Sequence, residues 1–533
     1  MVQHCPDMRP TAGEGYSWNA SNGLESYQTA LPYNRRRYKT RPSDTGLRST
    51  SKTSSKSSKN STMALVYLSM ANSHVNGFFN SMLAHPFHNH NLSLRAEKRR
   101  PRRRIFEPSR TATKAFQKVD AEGRHDLDIH ARWWWRSTGY ALAVLLERAR
   151  YSGHAQYQLL KFVQAITPSL GVAQEPGKEI VWKSFMTDDY NPVELSWDWC
   201  TGDKAPKIRF SIEPIGLEAG TIRDPNNEEG ATKLLETMVR ILPSTNMEWL
   251  GHFQRQLNGQ EARGCVEGHP TREFYAFDLG ETGVVSKAYF FPGFKARATQ
   301  RSNFDIILDT IHTAPGATPE KLQALKMFQD YVCDPRTPPL EMDMLAIDLV
   351  DPAESRFKIY FRIRDTSFAS VHHTMTLGSR IQKPELGRGL QDMRALYHAL
   401  LGPGVGGEEL GDAAPLPAKD HRTAGMLYNV EFKYGSKSPK VKAYLPVRHY
   451  AQSEEAVVSA VNAHLYSAKP ASQAAHMVHY HEAIKTIFSR EALSARSGLH
   501  TYIGCSVEAG GELRLVSYLN PRQSKMDRVQ VPV

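Results

Sequence analysis

The spacing of apolar and polar residues changes along the chain from a helical period to an alternating one. Apolar residues recur every three or four positions between about 132 and 151, and again between 155 and 166. Both patterns predict helices. From 193 to 199 the period becomes two, with polar residues on one face and leucine or tryptophan on the other. Residues 207–212 alternate in the same way, so the two stretches predict a β-hairpin with one polar and one apolar face.

The hairpin is the first of five. The other strand pairs are predicted at 272–279 with 284–291, 343–350 with 356–363, 425–432 with 439–447, and 499–507 with 512–519. Further helical patterns fill the gaps at 232–242, 247–257 and 320–332. Equivalent positions of the second strands lie 71 to 84 residues apart and hold Arg209, Lys287, Lys358, Lys442 and Tyr518. The repeat of two strands with helices gives ten antiparallel strands.

Ten strands that each have one polar and one apolar face fit best into a closed barrel. The apolar faces need cover from the helices, so the polar faces must surround the lumen. A barrel of ten strands is wider than one that side chains alone can fill, so we expect it to hold a ligand. The sequence therefore predicts an α+β fold over residues 111–533, a closed ten-stranded antiparallel β-barrel with helices outside.

The formal charge of +12 does not belong to the predicted barrel. Residues 1–110 hold 18 basic and 6 acidic residues, whereas residues 111–533 hold 49 of each. The basic segment is rich in serine, arginine and asparagine and lacks sustained periodicity, so we expect a mostly disordered extension. Its basic run at 98–104 also fits a nuclear signal or an RNA-binding patch. RNA binding through this tail is an alternative function, but we do not expect nucleic acid to be the main partner.

The sequence lacks the segments that are typical of membrane, secreted and zinc-binding proteins. No apolar run reaches the roughly 18 residues of a membrane span, and the first 30 residues lack the apolar core of a secretory signal. We therefore expect a cytoplasmic protein without a membrane partner, either a monomer or a homodimer. The five cysteines lack CxxC spacing, so no structural zinc site is predicted.

The polar strand faces combine cations with phenols. Arg356, Lys358 and Tyr360 alternate along one strand, so their side chains share a face. A Lys-x-Tyr sequence recurs at 287–289 and 442–444. The cations suit an anion such as diphosphate, and the rings suit an electron-poor group beside it. A single Lys-x-Tyr is usually a solvated strand face, but three copies in register with the repeats favour a binding surface.

Eight motifs along the same part of the chain belong together. They are WWWRSTG at 133–139, FMTDDYNPVELSW at 185–197, IRFSIEPIG at 208–216, AGTIRDPNN at 219–227, KAYFFP at 287–292, DPAESRFKIY at 351–360, MTLG at 375–378 and KAYLPV at 442–447. In these motifs and their order the chain resembles the fungal aromatic prenyltransferases of the dimethylallyl tryptophan synthase family. The resemblance covers residues 130 to 520 and implies their ABBA fold, a barrel of five αββα units.

The resemblance also implies a reaction. It is transfer of a dimethylallyl group from dimethylallyl diphosphate to an indole-containing acceptor: tryptophan, a tryptophan-derived cyclic dipeptide or an indole alkaloid of secondary metabolism. The implied diphosphate-binding residues are Arg209, Lys287, Arg356, Lys358 and Lys442. The tyrosines implied to shield the allylic cation are Tyr289, Tyr360, Tyr444, Tyr518 and Tyr502. Cations stabilise the leaving diphosphate, and aromatic faces stabilise the carbocation and keep it from water.

On the acceptor side, the resemblance makes Glu194 the catalytic residue that accepts a hydrogen bond from the indole N–H. Phe185 and Met186 are implied to lie near the acceptor ring. An alternative for Glu194 is a structural pairing with Lys207 or Arg209 on the neighbouring strand. We interpret Trp197 and Trp199 as core residues that face the helices.

The chain departs from known patterns at two places. Asp188 and Asp189 are not followed by the third carboxylate of a DDxxD motif, so we expect no metal and no other cofactor. The family's catalytic lysine is expected near 271–274, where this chain has Thr-Arg-Glu-Phe. Arginine stays protonated and is a poor base, so Glu194, Glu273 and His269 remain candidates for the base. A non-catalytic protein that binds a ligand in the lumen is the other alternative function.

Overall fold

The described part of the chain forms the predicted barrel. A computed structural model describes residues 112–175, 177–202, 204–258, 265–402, 410–468, 471–495 and 498–521. The basic extension predicted over residues 1–110 lies outside the described residues.

Ten strands in five consecutive pairs make up the sheet of the described residues. They are β1 (Val193–Asp198), β2 (Lys207–Ile212), β3 (Glu273–Gly280), β4 (Gly283–Phe290), β5 (Leu340–Asp348), β6 (Phe357–Ile363), β7 (Met426–Phe432), β8 (Lys440–Leu445), β9 (His500–Val507) and β10 (Leu513–Leu519). Every predicted hairpin is present, and the strand ends differ from the predicted ends by at most three residues.

Helices precede the first hairpin and separate the hairpins from one another. The α-helices in the described residues are α1 (Lys114–Gly123), α2 (Ile129–Trp134), α3 (Tyr140–Arg148), α4 (Gly153–Ile166), α5 (Glu228–Ile241), α6 (Glu248–Leu257), α7 (Gly293–Thr299), α8 (Asn303–His312), α9 (Gln323–Val332), α10 (Phe368–Met375), α11 (Pro384–Leu401), α12 (Val447–Tyr450), α13 (Glu454–Ala468), α14 (Ala471–Ile487) and α15 (Arg490–Ser494). Short 3₁₀ turns cover Thr167–Ser169 and Pro319–Leu322. Serine side chains cap several helix starts, as Ser302 does by accepting a hydrogen bond from the Asp305 amide.

The sheet closes on itself. Each strand pairs antiparallel with both neighbours in the order β1, β10, β9, β8, β7, β6, β5, β4, β3, β2, and β2 pairs again with β1. Closure leaves no free strand edge, which is the physical advantage of a barrel. The predicted fold class, a closed ten-stranded antiparallel barrel with helices, is confirmed.

Alternation along each strand separates the helix-facing core from the lumen. In β6, Phe357 stacks on Trp249 of α6 with ring centroids 4.8 Å apart, and Phe361 contacts Phe328 of α9. Lys358 and Tyr360, at the alternate positions of the same strand, face the lumen. One face therefore anchors the strand in the hydrophobic core, and the other is available for chemistry.

The two tryptophans of the first hairpin face the helices, as predicted. Trp197 and Trp199 are fully buried, and their rings lie 5.4 Å and 4.7 Å from the ring of Tyr480 on α14. Both are therefore part of the core between the barrel and its helices.

The first predicted helix, over 132–151, is interrupted. A π-helical turn at Trp135–Gly139 separates α2 from α3. A Cβ atom on Gly139 would lie 2.3 Å from the Trp135 ring, so only glycine fits in this turn. Trp135 in turn stacks on Phe116 and donates a hydrogen bond to Asp120. The apolar spacing does not show the turn, because one wide turn barely changes the average helical period.

Candidate active site in the barrel lumen

Basic and acidic side chains from neighbouring strands alternate at one end of the lumen. Arg209 on β2 contacts Asp198 on β1 and lies 3.1 Å from Asp278 on β3. Lys287 on β4 contacts the same Asp278 carboxylate. The pairing register explains this, because Arg209 stands directly opposite Asp278 across two adjacent strands. Asp278 therefore holds cations from β2 and β4 in one layer.

The next hairpins continue this layer. Arg356 precedes β6 by one residue, yet its guanidinium reaches Asp348 on β5 at 2.6 Å and Glu431 on β7 at 3.4 Å. Lys358 is buried and also contacts Asp348. Burial raises the pKa of Asp348, but Lys358 and Arg356 outweigh burial and bring this pKa down to about 2. Asp348 is therefore charged at neutral pH and keeps both cations in place.

Lys442 on β8 contacts two of the lumen tyrosines. Its ammonium donates a hydrogen bond of 2.7 Å to the Tyr518 hydroxyl and lies 4.5 Å from the centroid of the Tyr444 ring. Burial, together with the nearby positive charge of Arg209, lowers the pKa of Lys442 to about 7. An anion arriving beside this side chain would favour its charged form.

The five predicted tyrosines lie together in the lumen. Adjacent rings follow one another around the wall, with centroid separations of 5.8 Å for Tyr289 and Tyr360, 6.0 Å for Tyr360 and Tyr444, and 5.6 Å for Tyr444 and Tyr518. Tyr502 lies 6.1 Å from Tyr444, edge to face. An aromatic face within reach of a cation contributes about 0.5–2 kcal/mol, so this ring of phenols suits a carbocation.

Glu194 on β1 faces the same cavity. It lies opposite Ser211 in the register of β1 and β2, and its carboxylate accepts a hydrogen bond of 2.6 Å from the Thr501 hydroxyl. Arg209 is bound by aspartates and not by Glu194, so the structural pairing considered for Arg209 is not formed. Burial raises the pKa of Glu194 to about 7. The carboxylate can therefore accept a proton near neutral pH.

Phe185 and Met186 stand at the cavity on a loop that is tied to β2. The buried Glu213 carboxylate accepts hydrogen bonds from Trp182 at 2.7 Å, from Ser184 at 2.5 Å and from Thr271 at 2.9 Å. Phe185 contacts the edge of Phe291, with ring centroids 4.7 Å apart. The loop is therefore held rigidly, which fixes the predicted acceptor-contacting side chains.

Two of the three candidate bases, Glu273 and His269, do not line the cavity. Glu273 lies on the outer side of β3, where its carboxylate accepts hydrogen bonds from Gln254 of α6 and from Asn258, which follows this helix. His269 packs against the rings of Phe185 and Phe291, and burial lowers its pKa to about 3. Among the described residues that line the cavity, Glu194 is the only carboxylate.

Sequence reasoning missed several residues of the site. Asp198, Asp278 and Asp348 hold the cations, and their inward positions follow from strand alternation once the register is known. Arg362 at the end of β6 and Arg448 on α12 line the cavity near Phe185. Arg362 could have been found because it continues the alternation that begins at Lys358.

The aspartates at 188 and 189 have protein partners. Asp188 lies 3.1 Å from the guanidinium of Arg448, and Asp189 accepts a hydrogen bond from Thr187. Asp188, His421 and His449 also place one ligand atom each within 4.8 Å of one another. The Arg448 charge beside Asp188 disfavours a metal cation at this group.

Comparison with known proteins identifies the family. A sequence profile of the family described as tryptophan dimethylallyltransferase matches residues 130–479. The chain belongs to this family. It is therefore an aromatic prenyltransferase, and its relatives include fungal enzymes that act on different acceptors.

Two relatives illustrate this range. The chain is 32% identical to the 4-O-dimethylallyl-L-tyrosine synthase of Claviceps purpurea over 413 residues. This match covers 76% of this chain and 90% of the relative. It is 30% identical over 411 residues to the 7-dimethylallyltryptophan synthase of Aspergillus fumigatus, covering 73% and 84% of the two chains. The first relative is named for a tyrosine product and the second for a tryptophan product.

Solved structures share the fold. AnaPT from Neosartorya fischeri superimposes with a TM-score of 0.64 at 21% identity, covering 76% of this chain and 98% of AnaPT. NotF, solved in complex with brevianamide F and DMSPP, gives a TM-score of 0.63 at 20% identity, covering 76% of this chain and 98% of NotF. None of the helices in the described residues combines the length and apolar character needed to cross a membrane.

Proposed function

We propose that the protein transfers a dimethylallyl group from dimethylallyl diphosphate to an indole-containing acceptor by electrophilic aromatic substitution. The observation that carries this proposal is the arrangement inside the lumen, where buried cations paired with aspartates, a ring of tyrosines and the buried Glu194 carboxylate adjoin one another. Lys442 connects the cations with the tyrosines, because it contacts both Tyr518 and Tyr444. The contact of Tyr444 with Tyr502 then leads to the end that holds Glu194.

Each group has a role in this proposal. Arg209, Lys287, Arg356, Lys358 and Lys442 hold the diphosphate and stabilise its charge as the C–O bond breaks. The tyrosines cover the allylic cation and exclude water. Glu194 accepts the indole N–H hydrogen bond, which makes the ring more electron-rich as it attacks, while Phe185 and Met186 position the ring.

A phenol is a second candidate acceptor, and one observation favours it. Substitution at a ring carbon must remove a ring proton, but residues 271–274 offer no base to the cavity. Thr271 is bound to Glu213, Arg272 lies 4.1 Å from the Phe294 ring, and Phe274 stacks on Tyr289. Attack through a phenol oxygen needs only one base, which takes the hydroxyl proton. Glu194 suits this step because its pKa is about 7, and the Claviceps relative is named for such a product.

The catalytic unit in this proposal is residues 111–533, acting in the cytoplasm as a monomer or homodimer. Neither a metal nor a bound cofactor takes part, because the diphosphate charge is met by lysine and arginine.

The test is an acceptor screen with the purified full-length protein and dimethylallyl diphosphate. Tryptophan, tyrosine and a tryptophan-containing cyclic dipeptide are supplied separately, and diphosphate release and acceptor mass are both followed. We expect at least one acceptor to gain a dimethylallyl group, and NMR of the product then separates attack by carbon from attack by oxygen. Tight binding of the diphosphate without any transfer would instead indicate a non-catalytic lumen-binding protein.

A further inference from the structure

The charged layer of the lumen is a closed ring in which acids and bases alternate from strand to strand. The acids lie on odd-numbered strands or directly after one, and they are Asp198, Asp278, Asp348, Glu431 and Glu508. The bases lie on even-numbered strands, and they are Arg209, Lys287, Lys358, Lys440 and Arg514. Neighbours in this ring form ion pairs or stand opposite each other in the strand register. Arg514 contacts Asp198 and so closes the ring between β10 and β1.

Glu508 joins the two cations of the ring that have no role in the proposed reaction. One of its carboxylate oxygens lies 2.6 Å from the Lys440 ammonium and 3.9 Å from the Arg514 guanidinium. The Ser506 hydroxyl donates a hydrogen bond of 3.3 Å to the same oxygen. The backbone amide of Glu508 donates to the Glu512 carbonyl across the turn between β9 and β10. The turn therefore holds this carboxylate between both cations.

This side of the ring is open to solvent. The side chains of Lys440, Glu508 and Arg514 are 32%, 26% and 29% exposed, whereas Lys287 on the other side of the ring is 7% exposed. Alternate residues of a strand share a face, so Lys440 and the buried Lys442 both point into the lumen from β8. The half-exposed cations therefore adjoin the buried ones directly.

Arg514 also acts on Lys442 electrostatically. Burial, with the charges of Arg209 and Arg514, lowers the pKa of Lys442 to about 7. Arg514 is therefore within electrostatic reach of a lysine that we assign to the diphosphate. An anion that carries several negative charges is held firmly by buried cations. Its departure is faster when other cations take over its contacts and when a competing carboxylate is at hand.

We propose that Lys440 and Arg514 form an outer diphosphate subsite, the exit subsite, and that Glu508 promotes release by competing with diphosphate for both cations. The inference rests on the proposed function, because it takes diphosphate to be the leaving group. Once the C–O bond is broken, the diphosphate exchanges its contact with Lys442 for contacts with Lys440 and Arg514. The Glu508 carboxylate then pairs again with these cations, and the diphosphate passes into solvent.

The first experiment measures product inhibition by inorganic diphosphate. The full-length protein converts dimethylallyl diphosphate and its preferred acceptor, and the inhibition constant Ki of added diphosphate is obtained from the rate of prenylated product. In Glu508→Gln we expect Ki to fall at least about threefold, because the amide no longer competes for the cations. Glu354→Gln is the matched control, since Glu354 pairs with Lys433 on the surface and should keep the wild-type Ki.

The second experiment removes a cation of the exit subsite. In Lys440→Met we expect Ki for diphosphate to rise at least about threefold, while KM for the acceptor stays at the wild-type value. A purely structural ring would lower the thermal unfolding temperature of both variants without moving Ki in opposite directions. Equal Ki values in the wild type, Glu508→Gln and Lys440→Met would overturn the exit subsite and leave the proposed function standing. Absence of prenylated product from the wild type with every acceptor would instead defeat the proposed function.

Discussion

The Thr501 hydroxyl on β9 donates a hydrogen bond of 2.6 Å to the Glu194 carboxylate on β1. These residues are 307 positions apart in the sequence, and barrel closure brings them together. The bond leaves the second carboxylate oxygen of Glu194 for an acceptor. It also sets the orientation of the group on which the proposed chemistry depends most.

Replacing Glu194 by glutamine keeps the shape of the side chain but removes its charge and its ability to take a proton. We expect Glu194→Gln to lower the turnover of the preferred acceptor at least about tenfold, measured as prenylated product under saturating donor. Thermal unfolding of the same variant serves as the control for folding. Full activity in a folded Glu194→Gln protein would assign Glu194 a structural role.

Glu194 should also give the reaction a pH dependence. Its pKa is raised to about 7 by burial, so the carboxylate is mostly protonated below pH 7 and mostly charged above it. Because the charged form accepts the acceptor's proton, we expect kcat/KM for the acceptor to fall as the pH drops through 7. The profile of Glu194→Gln should lose this step. A step that persists in the variant would belong to another group.

The strands of the barrel were predictable because alternation and repetition are local properties of the sequence. The five tyrosines and the lysines followed from the same alternation. The structure places the tyrosines around one cavity, and Lys442 contacts two of them. The acids that hold the lysines were not found, since Asp278 and Asp348 matter only through the pairing register of neighbouring strands. Glu273 shows the opposite case: alternation places it on the face opposite Phe274, so its outward direction could have been read from the sequence.

Arg448 could not have been recognised as part of the site from local pattern. It lies on the four-residue helix α12 just after β8, where no periodicity marks its direction. Its contacts with Asp188 and Tyr502 join segments that are far apart in the chain. Only the closed fold shows which loops meet at the end of the lumen.

Lys287 provides a test of the diphosphate layer. The side chain is buried and shares Asp278 with Arg209, so Lys287→Met removes a cation from the proposed donor site. We expect KM for dimethylallyl diphosphate to rise at least about tenfold. Lys433→Met is a suitable control, because Lys433 pairs with Glu354 on the surface. Equal donor KM values in the two variants would exclude Lys287 from diphosphate binding.

Tyr360 tests whether the tyrosine ring protects a carbocation. Tyr360→Phe keeps the aromatic face, whereas Tyr360→Leu removes it. In the leucine variant we expect water to intercept more of the allylic cation. More of the dimethylallyl diphosphate is then converted to dimethylallyl alcohol, and less of the dimethylallyl group is transferred to the acceptor. The phenylalanine variant should stay close to the wild type in this ratio. The measurement is the ratio of dimethylallyl alcohol to prenylated product, and the same ratio in both variants would contradict cation shielding by the ring.

Removal of metals should leave the reaction unchanged. The proposed donor site supplies its positive charge from lysine and arginine, and Asp188 and Asp189 bind protein groups. We therefore expect full product formation in excess EDTA, measured with the preferred acceptor. Loss of product that magnesium restores would show that a metal assists ionisation.

The most direct measurement is the structure of the product that the purified full-length protein makes from dimethylallyl diphosphate and each aromatic acceptor of the screen. We predict that mass spectrometry and NMR will show one dimethylallyl group on the indole or phenol of at least one acceptor, with an equal amount of diphosphate released. Conversion of the donor to alcohol and diphosphate alone, with every acceptor recovered unchanged, would contradict prenyl transfer in this lumen.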